Sequence, residues 1–418
     1  MEVQARCSNS SLAPACYEEA SASLAVIVIP ALLVISSVVV VALIFCSLLR
    51  RRRVSPLDFR GCPADGQRGV SLRSVPVIPC GVREALHPWE MPEEGDVEGV
   101  ELWCSGSYGP VCTGRLTREG RSTAVVVKTL RGGASPCEES EFAEWILFHA
   151  KVCNNRSECL VRMLCCQSRR LPMYLVLEAL SPGNLLHFLW GLRRVDLDRG
   201  AQQQPFSERS VFLLAAQVAA GLDYLMTEHR VVHGYVAARS ILIGPDLSAR
   251  VSGLGTAFAG RQADRATRQQ PLEKSLEVPL KWLAPERITD QPAFHRSDVW
   301  SFGILLYELI TSGAPPYPEL EPQSVLPQLE RSYRMEQPEG CGAPLYNLMK
   351  YCWIWSFKDR PTYSDIIKLL ESSVALASTE ALPSRGLIEP TRYNQIAGIQ
   401  PHTGEVPTYP VKDESSVC

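Results

Sequence analysis

Ser297–Leu309 reads SDVWSFGILLYEL, and shortly ahead of it Pro279–Glu286 reads PLKWLAPE. In the first stretch apolar side chains return at helical spacing, a pattern that runs over Val299–Thr311 and recurs over Ser210–Glu228 and Ser364–Ser372. Upstream of Gly183 the pattern differs. Strand-like runs at Val100–Trp103, Val111–Leu116, Thr123–Leu130 and Tyr174–Glu178 surround one helical run, Glu138–Val152. The chain therefore predicts an α+β body over residues 97–372, with a small β-rich part carrying one helix and a larger helical part.

Composition bounds what else the chain can be. Its 418 residues are 46% hydrophobic, enough for a sizeable core, which excludes wholesale disorder. Lys+Arg 42 against Asp+Glu 45 leaves a net charge of −3, so no polycationic coat for nucleic acid exists. Fifteen cysteines are too sparse for a small disulfide scaffold and lack zinc-ribbon spacing.

Leu24–Leu49 runs without a charge, long enough to cross a hydrocarbon layer of about 30 Å, and Arg50–Arg53 follow at once. By the positive-inside rule residues 1–23 lie outside and the rest inside, giving a single-pass protein, expected at the plasma membrane, whose bilayer is its first partner. Cys7, Cys16 and the Asn9-Ser10-Ser11 acceptor pattern would sit in an oxidising compartment. Residues 50–96, rich in Pro, Gly and mixed charge, read as a juxtamembrane linker. Residues 373–418 carry five prolines from Pro383 to Pro410 without a helical stripe and read as a flexible tail, in which Tyr393 and Tyr409 are accessible acceptors for SH2-type partners after phosphorylation by another kinase.

The two opening motifs, with Ala314–Pro318 (APPYP), Cys352-Trp353 and Arg360-Pro361 in the same order, resemble the tyrosine-kinase branch of the protein kinases over roughly residues 97–372. The resemblance implies a bilobal fold with ATP in the cleft. It places Gly106 and Gly109 in a phosphate-covering loop, Val111, Glu178, Leu180 and Leu242 around the nucleotide, Leu177 at the gatekeeper position and Lys128 on the phosphates. Glu144, or Glu141 one turn earlier, would pair with Lys128. Two positions depart from the pattern here: Cys104 replaces the first loop glycine, where a side chain is expected to strain the turn, and Val126 adds bulk under the adenine.

The larger departures lie in the chemistry. In His233–Ser240 (HGYVAARS), Tyr235 stands at the proton-accepting aspartate. A phenol with an ordinary pKa near 10 is a donor at pH 7, so the base, worth about 10²–10⁴ in rate, is lost. Ser240 and Gly253 occupy the two Mg²⁺-ligand positions, and Asp246 and Glu277 are acids outside any motif position. Mg²⁺ is therefore not expected, and ATP is expected to bind weakly and without metal, or not at all. Gly234 replaces the arginine that would hold a phosphorylated loop, and Gly255–Ala284 contains no tyrosine. Arg261, Arg265 and Arg268 make that loop basic, read as a solvated face. The supporting positions remain: His233, Leu254 and Phe148 for the apolar column between lobes, Asp298 and Glu286–Arg360 for the large lobe. The sequence thus predicts a membrane-anchored pseudokinase that serves as a signalling scaffold for protein partners; the alternative is a divergent tyrosine kinase of low activity.

Overall fold

The computed structural model describes residues 75–399 apart from 93–95, 119, 154–156, 196–204, 266–277, 290, 292–294 and 384. The expected membrane span, its arginines, Cys7, Cys16, Asn9, Arg268, Glu277 and Tyr409 lie outside the described residues.

A short helix, α1 (Cys80–Leu86), precedes strands β1 (Asp96–Ser105), β2 (Pro110–Arg118) and β3 (Arg121–Thr129), then helix α2 (Pro136–Val152), β4 (Met163–Gln167) and β5 (Tyr174–Glu178). The five strands form one antiparallel sheet in the order β1-β2-β3-β5-β4. Period-two alternation divides β3 cleanly: Val125 and Val127 are fully buried against Cys112, Cys165 and Val176, so Val126 and Lys128 project to the opposite face. Ser135 starts α2 with a reciprocal cap, its hydroxyl taking the Glu138 amide while Glu138 reaches back to the Ser135 amide, and Pro136 occupies the first helical position.

The larger lobe opens with β6 (Gly183–Asn184) and α3 (Leu185–Val195), then α4 (Glu208–His229), β7 (Ile241–Ile243), β8 (Ala249–Val251) and α5 (Gly255–Arg265). Helices α6 (Ser297–Ile310), α7 (Ala343–Cys352), α8 (Tyr363–Ser373) and α9 (Pro390–Ala397) follow. By length and composition α4 could cross a membrane, but Val211, Leu214, Ala215, Val218, Leu222 and Leu225 are buried in the large-lobe core, where α4 packs on α8 and α6. The sheet-plus-helix lobe and the helical lobe share one continuous core, which is the bilobal arrangement expected from sequence.

Two boundaries are corrected. Residues 75–92 are part of the small lobe rather than linker: Ile78 and Leu86 are buried against α2, Val77 donates its amide to Glu139 at 2.7 Å, and Met91 donates to the Cys166 carbonyl at 2.7 Å. Residues 374–399 are not a loose tail. Leu382 donates to the Phe206 carbonyl at 3.0 Å, Ser207 bridges Ala381, and α9 buries Tyr393 and Ala397. In both segments one or two anchoring side chains and backbone bonds to residues remote in sequence do the holding, and neither leaves a periodic trace in the sequence.

Candidate functional site: the cleft between the lobes

The loop joining β1 to β2 is folded on itself. Gly106 donates its amide to the Gly109 carbonyl at 2.7 Å, and Gly109 returns one at 3.3 Å. Gly109 has φ +150°, and a Cβ there would lie 2.5 Å from the Thr129 carbonyl, so the close approach of this loop to the end of β3 requires glycine. At the loop tip the Tyr108 ring packs between Phe142 and Trp145 of α2, with centroids 5.4 and 5.3 Å away, and its hydroxyl donates to Glu141 at 2.7 Å. The loop is thereby tied to α2. Cys104 stays extended within β1 opposite Val111, so the strain expected at this residue does not arise.

Lys128 also turns toward α2. Its Nζ lies 5.1 Å from the centre of the Trp145 ring, and burial lowers its pKa, with only the thiols of Cys104 and Cys153 opposing. Among the described residues no ion pair joins Lys128 to Glu144 or Glu141: Glu141 holds Tyr108, and Glu144 accepts from Gln262 of α5 at 2.9 Å. The expected lysine–glutamate pair is thus replaced by two separate contacts. Arg261, read from sequence as a solvated face, instead sits over Phe148 at 5.9 Å on the helical segment after Gly253.

Of the other residues expected around the nucleotide, Val111 lies opposite Lys128 and close under Gly106, where an added Cβ would be 3.0 Å from its methyl. Leu242 stands on β7 opposite Asn184, and Leu180 approaches Gly244 just beyond β7. Glu178 is different. Its carboxylate takes the Arg162 amide and Nε at 2.8 Å each and lies 3.7 Å from Arg250, so this side chain braces the inter-lobe connection to β8.

In the large lobe the catalytic loop is firmly held. Asp298 accepts the amides of His233 and Gly234 at 2.6 and 2.9 Å, and His233 Nε2 meets the Ser252 carbonyl at 2.7 Å. Ser252 in turn donates both its amide and its hydroxyl to the Ser240 carbonyl at 2.9 Å, pinning the two would-be metal positions together. A Cβ on Gly253 would be 3.3 Å from Ser240 Cβ and Oγ. The geometry for a pair of ligands is kept, yet one position offers a hydroxyl and the other no side chain, which does not suit a hard divalent ion that seeks carboxylates. Asp246 is exposed and caps its own turn through the Ser248 amide at 3.1 Å, and its pKa is lowered by that serine. No group of three His, Cys, Asp or Glu suited to a metal occurs among the described residues.

Tyr235 lies edge-on to Trp282 at 6.2 Å, with its hydroxyl shut off from water and without a hydrogen-bond partner among the described residues. Burial pushes its pKa up to about 12. It cannot accept a proton at neutral pH. The loop's Gly106 and Gly109 amides are each paired with the other's carbonyl, and Lys128 faces Trp145.

Several residues of the site escape sequence reading. Tyr108, Trp145 and Gln262 carry the closed arrangement; Tyr108 and Trp145 adjoin motif residues, while Gln262 leaves no signal. Tyr393, expected to be an accessible partner site, is only 1% exposed, because its ring fills a pocket beside the catalytic loop.

Comparison with known proteins agrees with the geometry. The profile described as protein tyrosine and serine/threonine kinase matches residues 99–370. The tyrosine-protein kinase STYK1 of Homo sapiens is 38% identical over 319 residues, covering 76% of this chain and 74% of that protein. The Mus musculus tyrosine-protein kinase STYK1 is 36% identical over 314 residues, 74% and 72% of the two chains. The tyrosine-protein kinase Abl of Drosophila melanogaster is 34% identical over 278 residues, which are 66% of this chain and 16% of that one. With a small five-stranded lobe, a helical lobe and the buried Asp298 and Glu286–Arg360 braces in their matching places, the chain belongs to the protein tyrosine and serine/threonine kinase family.

Proposed function

We propose that this protein is a membrane-anchored pseudokinase, a kinase-shaped binding scaffold that does not transfer phosphate. One observation carries the reading: Ser240 and Gly253 face each other where two metal ligands would stand, and neither supplies a carboxylate. The neutral Tyr235 and the separation of Lys128 from Glu144 support it independently. The supporting framework is intact, so the shape survives without the chemistry. Charge-free Leu24–Leu49 followed by Arg50–Arg53 supports anchoring with the kinase-like body beneath the inner leaflet, each arginine adding about 1 kcal/mol of attraction to anionic lipid.

The test is transfer of radiolabelled phosphate from ATP by the purified full chain, beside a thermal-shift series with ATP, with and without Mg²⁺. The scaffold reading expects no transfer and at most a small, metal-independent shift. Transfer abolished by Lys128→Met would overturn it in favour of a divergent kinase. The combined variant Tyr235→Asp, Ser240→Asn and Gly253→Asp is expected to gain a Mg²⁺-dependent shift that the native chain lacks.

A further inference from the structure

The segment 385–399 is docked beside the catalytic loop by a small number of contacts. Arg193 of α3 donates to the Gly386 carbonyl at 2.7 Å while its other nitrogens hold the Ser312 and Thr311 carbonyls at 2.7 and 2.6 Å. The Glu389 carboxylate caps α9 through the amides of Thr391 and Arg392 at 2.9 and 2.6 Å. Tyr393 then enters a pocket whose wall is Trp190, 5.0 Å away at 73°. Its hydroxyl donates to Glu308 Oε1 at 3.4 Å, within the field of the Arg239 guanidinium. The same Glu308 carboxylate takes the Ala238 amide at 2.9 Å and Trp282 Nε1 at 3.1 Å, so the floor of the pocket is the catalytic loop itself.

We propose that Tyr393 is a gated phosphorylation site: a second, active tyrosine kinase reaches it only when residues 385–399 lift off the large lobe, and the phosphate then prevents their return. The phenol oxygen of Tyr393 attacks the γ-phosphorus of ATP held by that other kinase. The new O–P bond forms, the bond to ADP breaks, and the phenolic proton passes to that kinase's base. In the docked state the ring is 1% exposed, so no kinase can reach it. After transfer, a group carrying about two negative charges would have to enter a closed pocket beside the Glu308 carboxylate, and one guanidinium, already engaged there, cannot offset both charge and bulk. Lifting is local. Helix α9 has eight residues, too few to persist alone, and buries only Tyr393 and Ala397. The inference goes beyond the scaffold reading and holds whether or not the cleft is active.

The experiment uses the full chain in lipid nanodiscs, a soluble active tyrosine kinase domain and Mg²⁺-ATP, with phosphate on Tyr393 followed by mass spectrometry. The synthetic peptide 385–399 serves as the ungated reference, and the native chain is expected to react at least about tenfold more slowly than the peptide. Gly398→Ala loosens the dock without touching the pocket, since Gly398 has φ +70° and a Cβ there would be 2.5 Å from Pro322. Gly398→Ala and, independently, Trp190→Ala are each expected to recover most of the peptide's rate. In the phosphorylated chain, amide protection over 390–398 should be lost. Reaction of the native chain at the peptide's rate, or protection that survives phosphorylation, would overturn the proposal.

Discussion

Glu144 gives its carboxylate to Gln262, 2.9 Å away, while Lys128 lies under Trp145. The contact joins α2 to α5 and borders a cavity of about 170 Å³ lined by Val82, Glu144, Phe148, Phe258, Arg261 and Gln262. Three elements meet there: the added N-terminal helix α1, α2, and the helix that follows Gly253. The charge-assisted bond from Gln262 contributes about 1–2 kcal/mol to that meeting.

Removing it should loosen α5 first. Gln262→Ala is expected to raise hydrogen exchange across 255–262 by roughly tenfold, with little change in β4 or α6, because a lost bond of about 1.4 kcal/mol acts on the local opening. Exchange that stays at native rates would mean that Phe258 and Phe148, whose rings lie 5.6 Å apart, hold the helix unaided.

Glu308 makes stability depend on pH in an unusual direction. Burial raises its pKa to about 7, outweighing the hydrogen bonds from Ala238, Trp282 and Tyr393 and the charge of Arg239. A carboxyl whose folded pKa is raised keeps its proton in the fold after the unfolded chain has lost it, so stability falls as pH rises from about 4.5 to about 7 and stays lower above. The span corresponds to roughly 3 kcal/mol. Glu308→Gln should flatten urea-unfolding stability across that window; an unchanged slope would show that Glu308 ionises freely.

How much of this was legible depends on whether a residue announces its partners. The helices at Ser297–Ile310 and Tyr363–Ser373 follow from apolar spacing alone, and the losses at Tyr235, Ser240 and Gly253 follow from residue type at a motif position. The closed cleft does not. Lys128 and Glu144 stand where the motif puts them, but which neighbour each chooses is settled by Trp145, Tyr108 and Gln262 competing in three dimensions. Tyr393 reads as exposed because prolines surround it, whereas Trp190 and Glu308, far away in sequence, bury it.

The Glu286–Arg360 brace should respond in the opposite sense to Glu308. Burial alone would raise the Glu286 pKa, but the two-point contact with Arg360, at 2.7 and 2.8 Å, holds it below the usual range. A depressed folded pKa gives stability that is present above about pH 4.5 and lost as pH falls through the folded value. Arg360→Met leaves a buried carboxylate facing only the Ser297 hydroxyl and should cost about 3–5 kcal/mol in denaturant unfolding. Replacing both partners with apolar residues should cost less than Arg360→Met alone; a larger loss would show that the remaining contact of Glu286 with Ser297 outweighs the cost of leaving its charge unpaired.

Two glycines at altered motif positions separate backbone strain from crowding. Gly234 and Gly253 both adopt left-handed backbone, with φ +81° and +75°, so alanine at either should cost about 1 kcal/mol from conformation alone. Their surroundings differ. A Cβ on Gly253 meets Ser240 at 3.3 Å, a contact that a small shift relieves, whereas one on Gly234 meets Thr256 Cγ2 at 2.8 Å in the first turn of α5. Gly234→Ala should therefore lose about 1 kcal/mol more than Gly253→Ala in urea unfolding, and it should raise hydrogen exchange near Thr256 where Gly253→Ala does not. Equal losses with α5 undisturbed would mean that Thr256 yields freely, and that an arginine at position 234 would have fitted beside the helix.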